Sequence, residues 1–264
     1  MDFASLMDGA LRVTAAAAEF IRSQAGKVTA DDIETKSRNS LVSYVDKEAE
    51  KILVAGLAEL IPDCGFITEE DTIERKPSEY TWVIDPLDGT TNFLQQIPIY
   101  SVSVGLLHDD QLVLGIVADV VLNETYYAWR GGGAWCNGKP IHVSNRTDVN
   151  DAVVATGFPY ASSDVLPQLT ATFDYFLKNA RGMRRLGSAA IDLAYVACGR
   201  FDAYYEMTLN AWDIAGGIII VEEAGGVVTD FKGGKDMLQN GQLIAAPSVL
   251  QASLTQQIKS IFEG

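Results

Sequence analysis

Cysteine and histidine are scarce in this chain, with three Cys and two His in 264 residues. Cys64, Cys136 and Cys198 lie far apart with no Cys-x-x-Cys spacing, which argues against a disulfide framework and a structural zinc site. Basic residues are also few: 20 Lys and Arg stand against 35 Asp and Glu, a formal charge of −15. A main partner that is nucleic acid or an anionic membrane needs a basic patch, so that balance disfavours both. No apolar run reaches the length of a membrane span. Asp2, Asp8 and the broken apolar runs around them are unlike the basic start and apolar core of a signal peptide, so a cytoplasmic protein is expected. There is no linker, low-complexity tract or internal repeat. At 48% hydrophobic the chain can bury a large core, and one unit is expected, with halves of about 1–145 and 146–264.

What is present is a concentration of carboxylates at apolar strand ends. In Trp82-Val83-Ile84-Asp85-Pro86-Leu87-Asp88-Gly89-Thr90-Thr91-Asn92-Phe93, the first three residues read as a buried strand that Pro86 should stop, with Asp85 at its end. Asp88-Gly89 turns the chain. A helix starting near Thr90 would leave the amides of Gly89, Thr90 and Thr91 facing an anion, and Asp85 and Asp88 suit a hard cation shared with phosphate oxygens. Alone, Asp-x-x-Asp-Gly is an ordinary surface turn. Its company changes the odds. Phe66-Ile67-Thr68-Glu69-Glu70-Asp71 ends another apolar run in acids, and Ala211-Trp212-Asp213 opens an apolar helix with a third carboxylate.

Periodicity predicts helices over about 3–25 and 41–60 and an antiparallel meander over Tyr100–Leu107, Gln111–Val121 and Glu124–Arg130. It then predicts alternating elements: strand 152–156, helix 163–179, strand 183–186, helix 188–198, strand 201–206, helix 212–224, strands near 227–231 and 242–246, and a final helix. Pattern alone gives a mixed α/β class. Thr35–Ser40 reads as a polar loop able to close over the acidic cluster.

The Trp82–Phe93 segment, Glu69-Glu70 before it, and Trp212-Asp213-Ile214-Ala215-Gly216-Gly217 through Gly226 resemble the signatures of the Mg²⁺-dependent, lithium-sensitive inositol monophosphatases. The similarity extends through Gly131–Gly138 and Gly187-Ser188-Ala189-Ala190 and so covers essentially the whole chain. It implies an α/β/α/β/α sandwich of mixed sheets and a homodimer. It also implies two to three Mg²⁺, with Glu69, Asp85 and the Leu87 carbonyl holding the first, Asp85, Asp88 and Asp213 the second, and Glu69 a looser third. Glu69 and Thr90 would position and deprotonate the attacking water, with Asp46 hydrogen-bonded to Thr90. Asp88, Gly89, Thr90, Ser188, Ala189, Glu206 and Asp213 would meet the substrate. Read without the family, Asp46 suits an exposed helical turn equally well. Glu206 follows an apolar strand, where a carboxylate is costly unless it is paired or meets a ligand, and there it could accept hydrogen bonds from polyol hydroxyls. The spacing from Thr35–Ser40 to Asp46 is one residue shorter than in animal members of the family, which leaves Lys36 and the third ion open. Arg184-Arg185 resembles a basic pair near the subunit interface of bacterial members, and read alone it is a charged strand edge.

The implied activity is phosphomonoester hydrolysis of inositol monophosphate or a related polyol phosphate by direct water attack. Fructose 1,6-bisphosphate, histidinol phosphate and 3′-phosphoadenosine 5′-phosphate are the alternative substrates. A metal-binding regulatory or interaction protein is the non-enzymatic alternative.

Overall fold

The computed structural model describes residues 1–37, 40–158 and 164–263. In chain order the first half carries α1 (Phe3–Gln24), β1 (Ile33–Ser37), β2 (Ser40–Ser43), α2 (Tyr44–Leu60), β3 (Gly65–Thr68), β4 (Tyr80–Asp88) and α3 (Thr90–Leu94). A meander of β5 (Ser101–His108), β6 (Gln111–Asp119), β7 (Glu124–Trp129), β8 (Gly133–Cys136) and β9 (Lys139–Pro140) follows. The second half holds β10 (Val153–Thr156), α4 (Leu166–Asn179), β11 (Gly182–Arg184), α5 (Ala189–Ala197), β12 (Ala203–Glu206), α6 (Ala211–Glu223), β13 (Gly226–Thr229), α7 (Met237–Asn240), β14 (Leu243–Pro247) and α8 (Ser248–Glu263).

A seven-stranded sheet runs in chain order from β3 to β9, antiparallel except for the parallel β3–β4 pair. A five-stranded sheet has the order β11-β10-β12-β14-β13, its first three strands parallel and β14 reversed. Side-chain alternation along β4 ties the layers together: Trp82 and Ile84 pack with α1 and α2, while Val83 faces α5 and α6. A strand covered on both faces is apolar throughout, which is why this segment does not alternate. Helices α5 and α6 lie between the two sheets, and α4 and α8 cover the far face of the smaller one. The result is the expected α/β/α/β/α stack.

Position dictates the composition of α6. Because it is enclosed by both sheets, it is apolar on every side from Ile214 to Val221. A Cβ on Gly216 would stand 2.8 Å from the Ile116 carbonyl, and one on Gly115 would overlap the Gly216 carbonyl. Only bare backbone on both sides lets helix and sheet approach this closely.

Three local expectations change. β4 passes through Pro86 instead of ending there. The sheet accommodates the proline with a register irregularity between Asp85↔Ser103 and Asp88↔Ser101, beyond the last β3 pair at Ile84. Thr35–Ser40 is not a loop in its described part: β1 and β2 pair antiparallel, Ile33, Thr35 and Val42 supplying β-formers, with Arg38 and Asn39 outside the described residues. The helix expected from residue 41 begins at Tyr44, because Ser43 caps it and the Ser43 amide donates to Asp46 Oδ2.

Candidate active site

Five elements end or begin at one cavity of about 360 Å³. Glu69 arrives just beyond β3, Asp85 to Asp88 from the irregular end of β4, Ser188 and Ala189 at the start of α5, and Asn210 and Asp213 at the start of α6; Glu206 closes the far side from β12. Of the residues singled out in the sequence, Glu69, Asp85, Leu87, Asp88, Gly89, Thr90, Ser188, Ala189, Glu206 and Asp213 all line this cavity. Asp46 lies beneath it.

Local structure fixes each carboxylate. Asp85 is 2% exposed, and its Oδ1 accepts from the Leu87 amide at 2.9 Å. Asp88 Oδ2 accepts from Ser188 Oγ at 2.6 Å and from the Ala190 amide at 2.8 Å, tying β4 to the first turn of α5. Asp213 Oδ2 accepts from the Asn210 amide at 2.6 Å, closing a capping box on α6. Thr90 Oγ1 lies 3.0 Å from both Asp46 Oδ1 and the Leu87 carbonyl. Asp46 Oδ2 in turn accepts from the amide and hydroxyl of Ser43, so α2 holds Thr90 through a rigid cap. With only five residues, α3 carries little macrodipole, and its contribution at the cavity reduces to the free amides of its first turn.

The electrostatics are one-sided. Burial pushes Asp85 well above the usual carboxylate range, and the neighbouring charges of Glu69, Asp88 and Asp213 add to it. Burial raises Asp88 to about 6 despite its donors. Asp213 is driven well up by burial and then by Asp88. Among the described residues no ion pair reaches Asp85, Asp88 or Asp213. A cluster of hard oxygen donors whose ionised forms are penalised in this way is one that divalent cations would stabilise, and Mg²⁺ or Ca²⁺ take such donors. Among the described residues no group of three His, Cys, Asp or Glu forms a ready-made ion cage. Asp88 and Asp213 each turn one oxygen toward a backbone amide, of Ala190 and Asn210 respectively.

Glu206 occupies a different environment. Tyr204 donates its hydroxyl to Glu206 Oε2 at 2.6 Å, and burial raises the carboxyl to about 7 against that bond and the Arg185 charge. Gly157, at the end of β10, lies so close that a Cβ there would overlap the Glu206 carboxylate.

Several contributors were not singled out in the sequence. Glu50, fully buried, accepts from the Glu70 and Thr72 amides at 2.8 Å each and so shapes the loop that carries Glu69. Its position four residues after Asp46, on the apolar face of α2, was a usable signal. Asn92 donates to the Ile99 and Leu186 carbonyls, joining α3 to the loop before α5. Gly157 directly ends an apolar strand, a sign of close backbone approach. Asp192, 1% exposed on α5, has an Oδ1 without a hydrogen-bond partner, and nothing in the local sequence marks it.

The chain is similar to known proteins along nearly its whole length. Residues 2–263 match the model of the Inositol monophosphatase family. An inositol-1-monophosphatase of Mesorhizobium japonicum is 40% identical over 235 residues, covering 89% of this chain and 88% of its own. The Nus factor SuhB of Pasteurella multocida is 42% identical over 230 residues, 86% of each. The crystal structure of the extragenic suppressor protein SuhB of Bartonella henselae superposes with a TM-score of 0.92 at 35% identity, covering 97% of this chain and 98% of that one. An IMPase of Thermotoga maritima gives 0.89 at 30% identity, with coverage of 100% and 99%. Matched from end to end in sequence and in fold, the chain belongs to the inositol monophosphatase family.

Proposed function

We propose that this protein is a Mg²⁺-dependent phosphomonoesterase acting on inositol monophosphate or a similar polyol phosphate. The observation that carries the reading is the convergence of Glu69, Asp85, Asp88 and Asp213 on one cavity beside Glu206, with the carboxyls of Asp85, Asp88 and Asp213 driven upward by burial. Glu69, Asp85, the Leu87 carbonyl, Asp88 and Asp213 would hold two to three Mg²⁺. When bound, the ions neutralise the phosphate dianion and stabilise the oxygens of an in-line displacement. The remaining work falls to the chain's own residues.

Asp46 holds Thr90 through its hydroxyl, and Thr90 with Glu69 orients the attacking water and takes its proton. The amides of Gly89 and Thr90 face the phosphate, and those of Ser188 and Ala189 the substrate beyond it. Glu206, seated on Gly157 and held by Tyr204, accepts hydrogen bonds from hydroxyls flanking the ester. Water attacks phosphorus directly, with no covalent phosphoenzyme. Lithium and excess Mg²⁺ should both inhibit, by occupying the loosest ion position and trapping phosphate.

A panel of inositol 1-phosphate, fructose 1,6-bisphosphate, histidinol phosphate and 3′-phosphoadenosine 5′-phosphate, assayed with Mg²⁺, tests the assignment. Inositol phosphate should be preferred, and preference for the nucleotide would sink the polyol reading. A second reading rests on relatives at 36–45% identity that are named Nus factor SuhB. A chain that complements loss of such a factor while carrying Asp85→Asn would act in transcription independently of hydrolysis. The charge of −15 weighs against direct contact with RNA in that role.

A further inference from the structure

The cavity is lined from two sides. Glu69, Asp85 and Asp88 enter from the larger sheet and Asp213 from α6, while Glu206 enters from β12 of the smaller sheet. Among the described residues that line the cavity, Arg185 is the only cationic side chain. Its guanidinium carbon lies 5.6 Å from the centre of the Phe158 ring, and Phe158 is itself backed by Phe173 at 5.7 Å. Phe158 directly follows Gly157, which packs against the Glu206 carboxylate, so Arg185 stands on the Glu206 side of the cavity, where its charge also acts on Glu206. Gly187 lies beneath it, where a Cβ would come within 2.7 Å of Arg185 Nη1.

Arg184, the other member of the pair, donates to the adjacent Met183 carbonyl and does not line the cavity. Both arginines are exposed, and of the two only Arg185 lines the cavity. An arginine stacked on an aromatic face keeps its planar fork of donors in a restricted orientation, and that fork matches carboxylate or phosphate better than a neutral hydroxyl. Cations held by the acidic cluster would neutralise the phosphate that is hydrolysed, so Arg185 is not needed there.

We propose that Arg185 is a specificity-determining residue that binds a second oxyanion on the alcohol, so that esters bearing a carboxylate or a second phosphate are favoured over neutral analogues of the same size. This rests on the phosphomonoesterase reading. Glu206 accepts the hydroxyls and Arg185 donates to the anion, a complementary pair across one leaving group.

Two substrate pairs separate the possible anions. 2-Phosphoglycerate against glycerol 2-phosphate replaces a hydroxymethyl by a carboxylate, and fructose 1,6-bisphosphate against fructose 1-phosphate adds a phosphate. In wild type, kcat/KM should be higher for the anionic member of at least one pair by about tenfold to a hundredfold, the worth of a hydrogen bond to a charged group. Arg185→Gln should bring that ratio close to one. Arg185→Lys, which keeps charge without the fork, should fall between, and Arg184→Gln should leave the ratio as in wild type. Thermal melting of each variant checks folding, and if Arg185→Gln does not fold the lysine variant alone decides. A wild-type ratio near one in both pairs, or equal losses on both members of a pair, overturns the proposal. Mg²⁺-dependent release of phosphate from glycerol 2-phosphate would still stand in that event, and its absence would count against the phosphatase reading instead.

Discussion

Glu206 offers the sharpest prediction at the scale of single residues, because the proposed function gives it the leaving group and no metal ion. A hydrogen bond to a charged acceptor is worth roughly 1.5–3 kcal/mol, so Glu206→Gln should lower kcat/KM for inositol 1-phosphate by about one to two decades. Turnover of glycerol 2-phosphate should fall much less. Gly157→Ala should reproduce that loss of selectivity, since a methyl there displaces the carboxylate. Equal losses on both esters would move Glu206 to the reaction centre or to the fold. Asp192 gives a test by pH. Burial, then Glu206 and Asp88, raise its carboxyl well above the usual range. An acid raised by folding carries no penalty below its unfolded value and destabilises the fold as pH rises toward the folded one. Asp192→Asn, which cannot ionise, should therefore melt with wild type below about pH 4 and above it at pH 7.5. The gain should grow as pH rises above about 4, because only the wild-type carboxyl carries the penalty for ionising in the buried site. A variant less stable than wild type at pH 7.5 would show that the ionised carboxylate is held by contacts that stabilise the fold.

At the scale of elements, α6 and the sheet beside it are the parts on which Asp213 depends. Gly115→Ala would drive a methyl into the Gly216 carbonyl, and backbone cannot swing aside as a side chain can. Overpacking of this kind costs about 1–3 kcal/mol. Because α6 must shift to relieve it, activity should drop along with Tm; a variant with unchanged Tm would mean that the helix is not seated as described. This element was legible in the sequence, since an apolar stretch of helical length opened by Asn210 and Asp213 has few other homes. The β4 segment was legible for the same reason, as an apolar run bounded by acids. The β1–β2 pair was not: Thr35, Lys36 and Ser37 are polar enough to read as loop, and their pairing with Ser40–Ser43 is a tertiary fact. Nor was the passage of β4 through Pro86, because whether a proline ends a strand depends on which neighbour needs its amide.

The whole molecule explains why the cavity could be only half read from the chain. Carboxylates near strand and helix ends announce themselves, but the spatial order β11-β10-β12-β14-β13, which carries Glu206 into the cavity that Asp88 also lines, does not. Glu50, Gly157 and Asp192 matter through what they face across the fold. Assembly belongs to this scale as well. Phe158, Leu166, Leu177 and Val249 are large apolar side chains 46–63% exposed. A homodimer is the proposed state, C₂ pairs being the commonest assembly of soluble enzymes. Sedimentation at micromolar concentration should give about twice the 28.6 kDa of one chain, and a single monomeric species would count against it.

The central claim is that Asp85 and its neighbours hydrolyse a phosphate ester with the help of divalent cations. It is tested most directly by following phosphate release from inositol 1-phosphate as Mg²⁺ is raised from an EDTA baseline, in wild type and in Asp85→Asn. Wild type should release phosphate only when Mg²⁺ is added, and Asp85→Asn should lose more than about tenfold, at least ~1.4 kcal/mol of transition-state stabilisation. Phosphate release that persists in EDTA, or that survives Asp85→Asn nearly unchanged, would contradict the account.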